Sequence, residues 1–165
     1  TQKSNFDEQY NIMATCDILQ VRLRKKLREE MSSTYHVSVG SYNMQPLSSY
    51  STTYISFDSS PDNVDEMIEA VFDEINKMKV ELATDEEVLN VVKKYQNSRQ
   101  PNLKKNSYWL SRLLSCYKNS INPNDVLDRD ARISSFTSSK AKKVMRKYFP
   151  DNRRTIVSLF PEQVR

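Results

Sequence analysis

The sequence predicts an α+β fold in which several helices pack on one face of a mainly antiparallel sheet. Three observations carry this prediction. Apolar residues recur at helical spacing over most of the chain, two short segments alternate with period two, and one further apolar segment follows the final helix. The resulting order of helix, two strands, several helices and one strand is typical of a two-layer α+β arrangement.

The first predicted helix runs from about residue 7 to residue 31. Its apolar residues recur every three or four positions and are Ile12, Cys16, Leu19, Leu23 and Leu27. The last turns are strongly basic, which complements the negative end of the helix dipole. We therefore expect most of these cations to form a solvated face. They are Arg22, Arg24, Lys25, Lys26 and Arg28.

Two strands follow. Tyr35, Val37 and Val39 alternate with polar or small residues, and the same alternation returns over residues 53–57 after a polar loop. Alternation with period two indicates strands with one buried face, here an antiparallel pair with a rather long connection.

The rest of the chain is predicted to be helical up to its last segment. Ser60 before Pro61 is typical of a helix start, and Thr84 with Glu87 forms a capping box. A break or kink is expected at Pro101. A helical stripe follows, made of Leu110, Leu113, Leu114 and Tyr117.

The final elements are predicted from the same kinds of signal. A short helix should cover Val126 to Ile133. Thr137 should cap a last helix that stops at Pro150, and Thr155 to Phe160 should form a terminal strand. Three strands make a thin sheet for so many helices, so we expect one or two further strands upstream of this sequence.

Composition excludes several functions. Gly40 is the only glycine, which rules out P-loops and dinucleotide-binding fingerprints. His36 is the only histidine, so no zinc-peptidase motif can be written, and no nucleophile motif lies beside it. Cys16 and Cys116 lie in apolar helical patterns and are expected to be buried small hydrophobes rather than a disulfide or reactive thiols. No apolar run is long enough for a membrane span.

The charges favour no specific partner. The net charge of +4 is mildly basic, and the basic residues fall on the outward faces of amphipathic helices. Nucleic-acid binding is a weak alternative, although nine tyrosines could stack on bases. The acidic clusters at residues 62–66 and 85–87 are expected to be capping and surface groups.

One junction remains as a candidate site. Arg28 lies at the end of the first helix and Tyr35 at the start of the next strand, so a tight turn could bring them together. Arginine offers a fork of donors to a carboxylate or to peptide carbonyls, and a tyrosine hydroxyl can donate to an oxyanion. Alternatively, Arg28 pairs with Glu29 or Glu30, and Tyr35 is packed.

At this junction the chain resembles the insulinase/pitrilysin family of zinc peptidases and their processing-peptidase relatives. The family carries an L-R-E-x5-Y segment, which Leu27 to Tyr35 matches, although Ser32-Ser33 replace its frequent glycines. Four further segments match the family pattern in order. They are Ser56-Phe57 with Pro61 to Glu66, Leu82 to Glu87, Asn106 to Leu110, and Tyr148 to Pro150 with Val157 to Glu162. These matches span about 150 residues, and the pattern is closest to bacterial members.

The resemblance implies a fold and a separation of zinc binding and substrate binding between two halves of the enzyme. The fold would be a two-layer αβ roll, with residues 1–165 as a single C-terminal domain that lacks its opening strands. This domain would bind no zinc. Zinc would be held by an inverted H-x-x-E-H motif in the N-terminal half, in the same protein or a partner subunit, and the two halves would close around a peptide substrate. Arg28 and Tyr35 would be the substrate-binding residues.

A non-enzymatic alternative stays open. The parent could be a degenerate family member that serves as a scaffold or partner subunit. The sequence leaves the compartment undecided, with the bacterial periplasm as one setting.

Overall fold

The computed structural model describes residues 6–30, 36–43 and 51–160. Six helices and one antiparallel strand pair account for most of them. Their bounds are α1 Phe6–Arg24, β1 Val37–Asn43, β2 Ser51–Phe57, α2 Val64–Val80, α3 Asp85–Leu103, α4 Asn106–Asn119, α5 Arg129–Ser134 and α6 Ser138–Tyr148. A π-helical stretch, Lys25–Glu30, continues α1, and 3-10 turns lie at Pro61–Asn63 and Pro123–Val126.

Helix α1 is the centre of the fold. It contacts β1 on one side and α2, α3, α5 and α6 on the others. Its apolar stripe is completely enclosed, with Ile18, Leu19 and Leu23 at most 1% exposed. Leu27, in the wider π-helical stretch, is also fully buried. The predicted first helix and its buried stripe are confirmed.

The strand pair has one buried and one open face, as the alternation predicts. Val37 pairs with Phe57, and Val39 pairs with Ile55. Both valines are buried, and both partners pack against the core. Tyr54 lies on the opposite, exposed face. The α+β class, with helices on one face of an antiparallel sheet, is therefore confirmed. The connection at residues 44–50 lies outside the described residues.

The helix boundaries follow the sequence signals with two exceptions. The capping box at Thr84 and Glu87 is present, and the Thr137 side chain accepts from the backbone N–H of Lys140. Ser60, however, makes no side-chain cap, and the chain enters α2 through a 3-10 turn. Pro101 does not break α3, which continues to Leu103. The helix therefore runs for two residues beyond the proline.

The predicted terminal strand is wrong. Residues 154–160 belong to no strand and are exposed, with Val157 at 78% and Leu159 at 94%. A strand needs backbone hydrogen bonds from a neighbouring strand, and within the described residues the sheet contains only β1 and β2. The apolar pattern is present, but it has no partner here.

Candidate functional site

The core holds both ends of the junction between α1 and β1. Leu27 is buried at the end of the helical segment, and Val37 is buried at the start of the strand, both within one apolar cluster. The side-chain oxygen of Gln20 accepts a hydrogen bond of 3.0 Å from the backbone N–H of Val39, which ties the strand to α1. The junction therefore starts and ends at well-anchored positions.

Arg28 follows Leu27 directly, and its side chain is exposed. Because Leu27 fixes the backbone on the core side, Arg28 is turned towards solvent. Among the described side chains no carboxylate pairs with Arg28. Its planar fork of donors suits a carboxylate or a peptide carbonyl.

Tyr35 lies outside the described residues, and so do the side chains of Glu29 and Glu30. Neither the expected approach of Tyr35 to Arg28 nor the alternative pairing of Arg28 with a neighbouring glutamate is tested. Both stay predictions.

The basic end of the first helix is divided between two roles. Arg24, Lys25 and Arg28 are exposed, as expected for a solvated face. Arg22 is an exception, because it is only 14% exposed and forms ion pairs with Glu87 on α3 and Glu74 on α2. These partners lie more than 50 residues away, so no local pattern could reveal them.

Among the described residues, the remaining side chains that could carry chemistry do not form a centre. His36 is exposed and lies just before β1 rather than within a strand. Cys16 and Cys116 are buried and unpaired, as predicted. Burial, with the charge of Asp17, raises the pKa of the Cys16 thiol to about 12, so it stays protonated and is a poor nucleophile. Within the described ranges no three His, Cys, Asp or Glu side chains converge as metal ligands.

A small cleft lies between α1 and the helices that follow β2. It has a volume of about 90 Å³ and a mainly apolar lining that includes Tyr10, Met13 and Tyr95. Two lining arginines are already engaged: Arg129 donates to the Tyr108 hydroxyl at 3.1 Å, and Arg132 bonds Asp7 and the carbonyl of Asp125. Sequence reasoning did not find this cleft because it is assembled from distant segments.

Comparison with known proteins defines the class. Residues 1–95, more than half of the chain, match the family model described as the peptidase M16 inactive domain. The chain is accordingly a catalytically inactive, peptidase-type domain. It belongs to the M16 peptidase family, which confirms the resemblance to insulinase-type enzymes. A search of curated proteins finds no match.

Solved structures share the fold at low sequence identity. The periplasmic protease PqqL from Escherichia coli aligns with 89% of this chain at a TM-score of 0.76 and 16% identity. A peptidase M16 inactive domain from Pseudomonas fluorescens aligns with 84% at 0.73 and 17% identity. A protease from Helicobacter pylori aligns with 90% at 0.74 and 16% identity. The alignments cover only 16%, 34% and 36% of those three chains, respectively.

None of the helices in the described ranges combines the length and the apolar character that crossing a bilayer requires.

Proposed function

We propose that this chain is the substrate-clamping C-terminal domain of a zinc-dependent M16 peptidase that cleaves peptides inside a clamshell chamber. The observation that carries the proposal is the family match, since residues 1–95 include both Arg28 and Tyr35. By its resemblance to the family, the zinc of this peptidase would be held by the N-terminal half, in the same polypeptide or a partner subunit. There the metal would activate a water molecule for attack on the peptide bond.

Arg28 would bind the substrate rather than react with it. The Arg28 side chain is exposed, and the buried Leu27 beside it fixes the position of its backbone. Two parallel N–H donors match a carboxylate or successive backbone carbonyls of an extended peptide. A charge-assisted bond of this kind should contribute mainly to substrate affinity.

Tyr35 would donate its phenolic hydrogen to the scissile carbonyl oxygen as negative charge develops on it. Such a donor stabilises the transition state more than the ground state, so its contribution should appear in kcat. β1 begins at Val37, and His36 precedes it outside the strand. The alternation that buries Val37 and Val39 therefore does not dictate the direction of Tyr35.

The domain would be completed by upstream strands. Ile156, Val157 and Leu159 are more than half exposed although their sequence is typical of a strand. Strands contributed from upstream of Thr1 would extend the two-stranded sheet and cover part of this apolar surface. The same argument predicts that adding the residues that precede Thr1 stabilises the domain.

The compartment and the alternative role belong to the same proposal. The periplasmic location stated for PqqL favours the bacterial periplasm for this protein too. A non-enzymatic scaffold or partner subunit is the second candidate, because the matched model describes a domain that is itself inactive. The presence or absence of H-x-x-E-H in the partner half separates the two.

The experiment for the proposed function uses the full-length protein. Replacing Arg28→Gln should raise KM for a peptide substrate about tenfold or more, because a hydrogen bond to a charged group contributes roughly 1.5–3 kcal/mol. Arg24→Gln is the matched control, since Arg24 is an exposed cation four residues earlier. Equal KM values for both variants would contradict the substrate-binding role, and activity that survives metal chelation would contradict the zinc-dependent class.

A further inference from the structure

Helix α4 presents its apolar stripe to solvent. The stripe consists of Leu110, Leu113, Leu114 and Tyr117, which are 70%, 44%, 50% and 85% exposed. Their spacing of three, one and three residues places them on one face of the helix. On α2, by contrast, the equivalent stripe is buried, with Met67, Val71, Ile75 and Met78 at most 5% exposed.

The other face of α4 is fixed to the rest of the chain. Cys116 is fully buried, the indole N–H of Trp109 donates to the carbonyl of Leu103 at 2.9 Å, and the Tyr108 hydroxyl accepts from Arg129. The helix is therefore held in one orientation, and the exposure of its leucines is a consequence of that docking. The stripe that the sequence predicts is therefore present on α4. Helix α4 contacts α3 and the turn at Pro123–Val126, but the stripe does not pack against either of them.

Exposed lysines lie near both ends of the stripe. Between Glu87 and Asp125 the sequence contains seven basic residues and no acidic one. Lys104 and Lys105 precede α4, and Lys118 lies beside Tyr117, all three exposed. The surface that we call the α4 face is thus an apolar stripe of Leu110, Leu113, Leu114 and Tyr117 with a positive rim.

We propose that the α4 face docks an amphipathic helix whose apolar stripe is flanked by acidic side chains, contributed by another domain of the same protein. The spacing of the exposed side chains is that of anchors for helix–helix packing, and the positive rim selects an acidic partner. A second copy of this chain fits poorly, because two α4 faces would bring lysines against lysines.

This docking proposal rests on the proposed function, because it requires that the parent protein contain further domains. Two of the structures that share the fold are about three times longer than the aligned part, and PqqL is about six times longer, judged from coverages of 34%, 36% and 16%. Additional domains of that size need contact surfaces, and the α4 face is apolar, rigidly held and uncovered within the described chain.

A photo-crosslinking experiment on the full-length protein tests the docking. Tyr117 is replaced by p-benzoylphenylalanine, the protein is irradiated, and the crosslinked peptides are identified by mass spectrometry. We expect the dominant crosslink to join residue 117 to a segment of the same polypeptide that has apolar residues at helical spacing with Asp or Glu beside them. A crosslinked dimer, a crosslink only to added anionic phospholipid vesicles, or no crosslink would overturn the proposal.

A charge-reversal series tests the acidic partner separately. The double change Lys105→Glu and Lys118→Glu should lower the crosslink yield at least about threefold at low ionic strength, and less at high salt, because exposed charges are screened. Lys143→Glu, an exposed cation on α6, is the matched control and should leave the yield unchanged. Equal yields in all three proteins would overturn the acidic character of the partner. A correct crosslink in a protein without peptidase activity would contradict only the proposed function.

Discussion

Arg22 and Glu87 form a two-pronged ion pair that joins the first helix to the third. The Nε and Nη2 groups of Arg22 donate to the two carboxylate oxygens of Glu87 at 2.6 and 2.8 Å. The Nη1 group donates to Glu74 on α2 at 3.1 Å. Glu87 also accepts the backbone N–H of Thr84 at 2.8 Å, so one side chain both caps α3 and binds α1.

The ion pair should stabilise the folded protein by considerably more than an exposed surface ion pair usually does. The side chains of Arg22 and Glu87 are only 14% and 22% exposed, and removing one partner leaves a partly buried charge. We expect Glu87→Gln to lower the free energy of unfolding by about 2 kcal/mol, as measured by urea denaturation. Glu86→Gln, at the exposed neighbouring position, should change it by less than about 0.5 kcal/mol. Equal effects of the two changes would show that the pair contributes nothing specific.

The same pair should make stability depend on pH. Burial alone would raise the pKa of Glu87, but hydrogen bonds from Arg22 and from the backbone of Thr84 outweigh it and hold the pKa below its ordinary value of 4.5. A carboxyl group whose pKa is lower in the folded state stabilises the fold above the unfolded pKa. That contribution is lost as the pH falls through the folded pKa. The stability difference between the parent protein and Glu87→Gln should therefore be largest near neutral pH and shrink below a pH of about 4.5. A difference that stays constant during acid titration would contradict this account.

Local patterns predicted what local interactions decide. The buried stripe of α1, the alternation at Val37 and Val39, and the cap at Thr84 all follow from side chains within a few residues of one another. The terminal segment at Val157 was mispredicted because a strand depends on a neighbour that its own sequence does not contain. The partners of Arg22 and the exposure of Leu110 depend on packing between distant elements. For the candidate site, sequence motifs could suggest the positions of the functional residues, but they could not predict the contacts that those side chains make.

Gly40 and Tyr54 lie directly opposite each other in the strand pair. A Cβ atom at Gly40 would come within 2.7 Å of the Tyr54 ring, so the ring lies across the glycine. We expect Gly40→Ala to displace Tyr54 and destabilise the protein by up to about 1 kcal/mol, because the ring is partly exposed and can rotate away. In a Tyr54→Ala background the same change should be neutral or stabilising, since glycine within a strand costs roughly 0.5–1 kcal/mol.

A double-mutant cycle with chemical denaturation measures this coupling between Gly40 and Tyr54. Additive effects, within about 0.3–0.5 kcal/mol, would contradict the close approach of the ring to the glycine.

The central claim is that this domain supplies a substrate-binding arginine and an oxyanion-binding tyrosine to chemistry performed elsewhere. The most direct measurement is steady-state peptide hydrolysis by the full-length protein carrying Tyr35→Phe, with Tyr42→Phe on the exposed face of β1 as the matched control. The account predicts that kcat falls about 100-fold or more for Tyr35→Phe, with little change in KM, as for the loss of an oxyanion donor. Unchanged kinetics for Tyr35→Phe, or an equal loss in Tyr42→Phe, would contradict it.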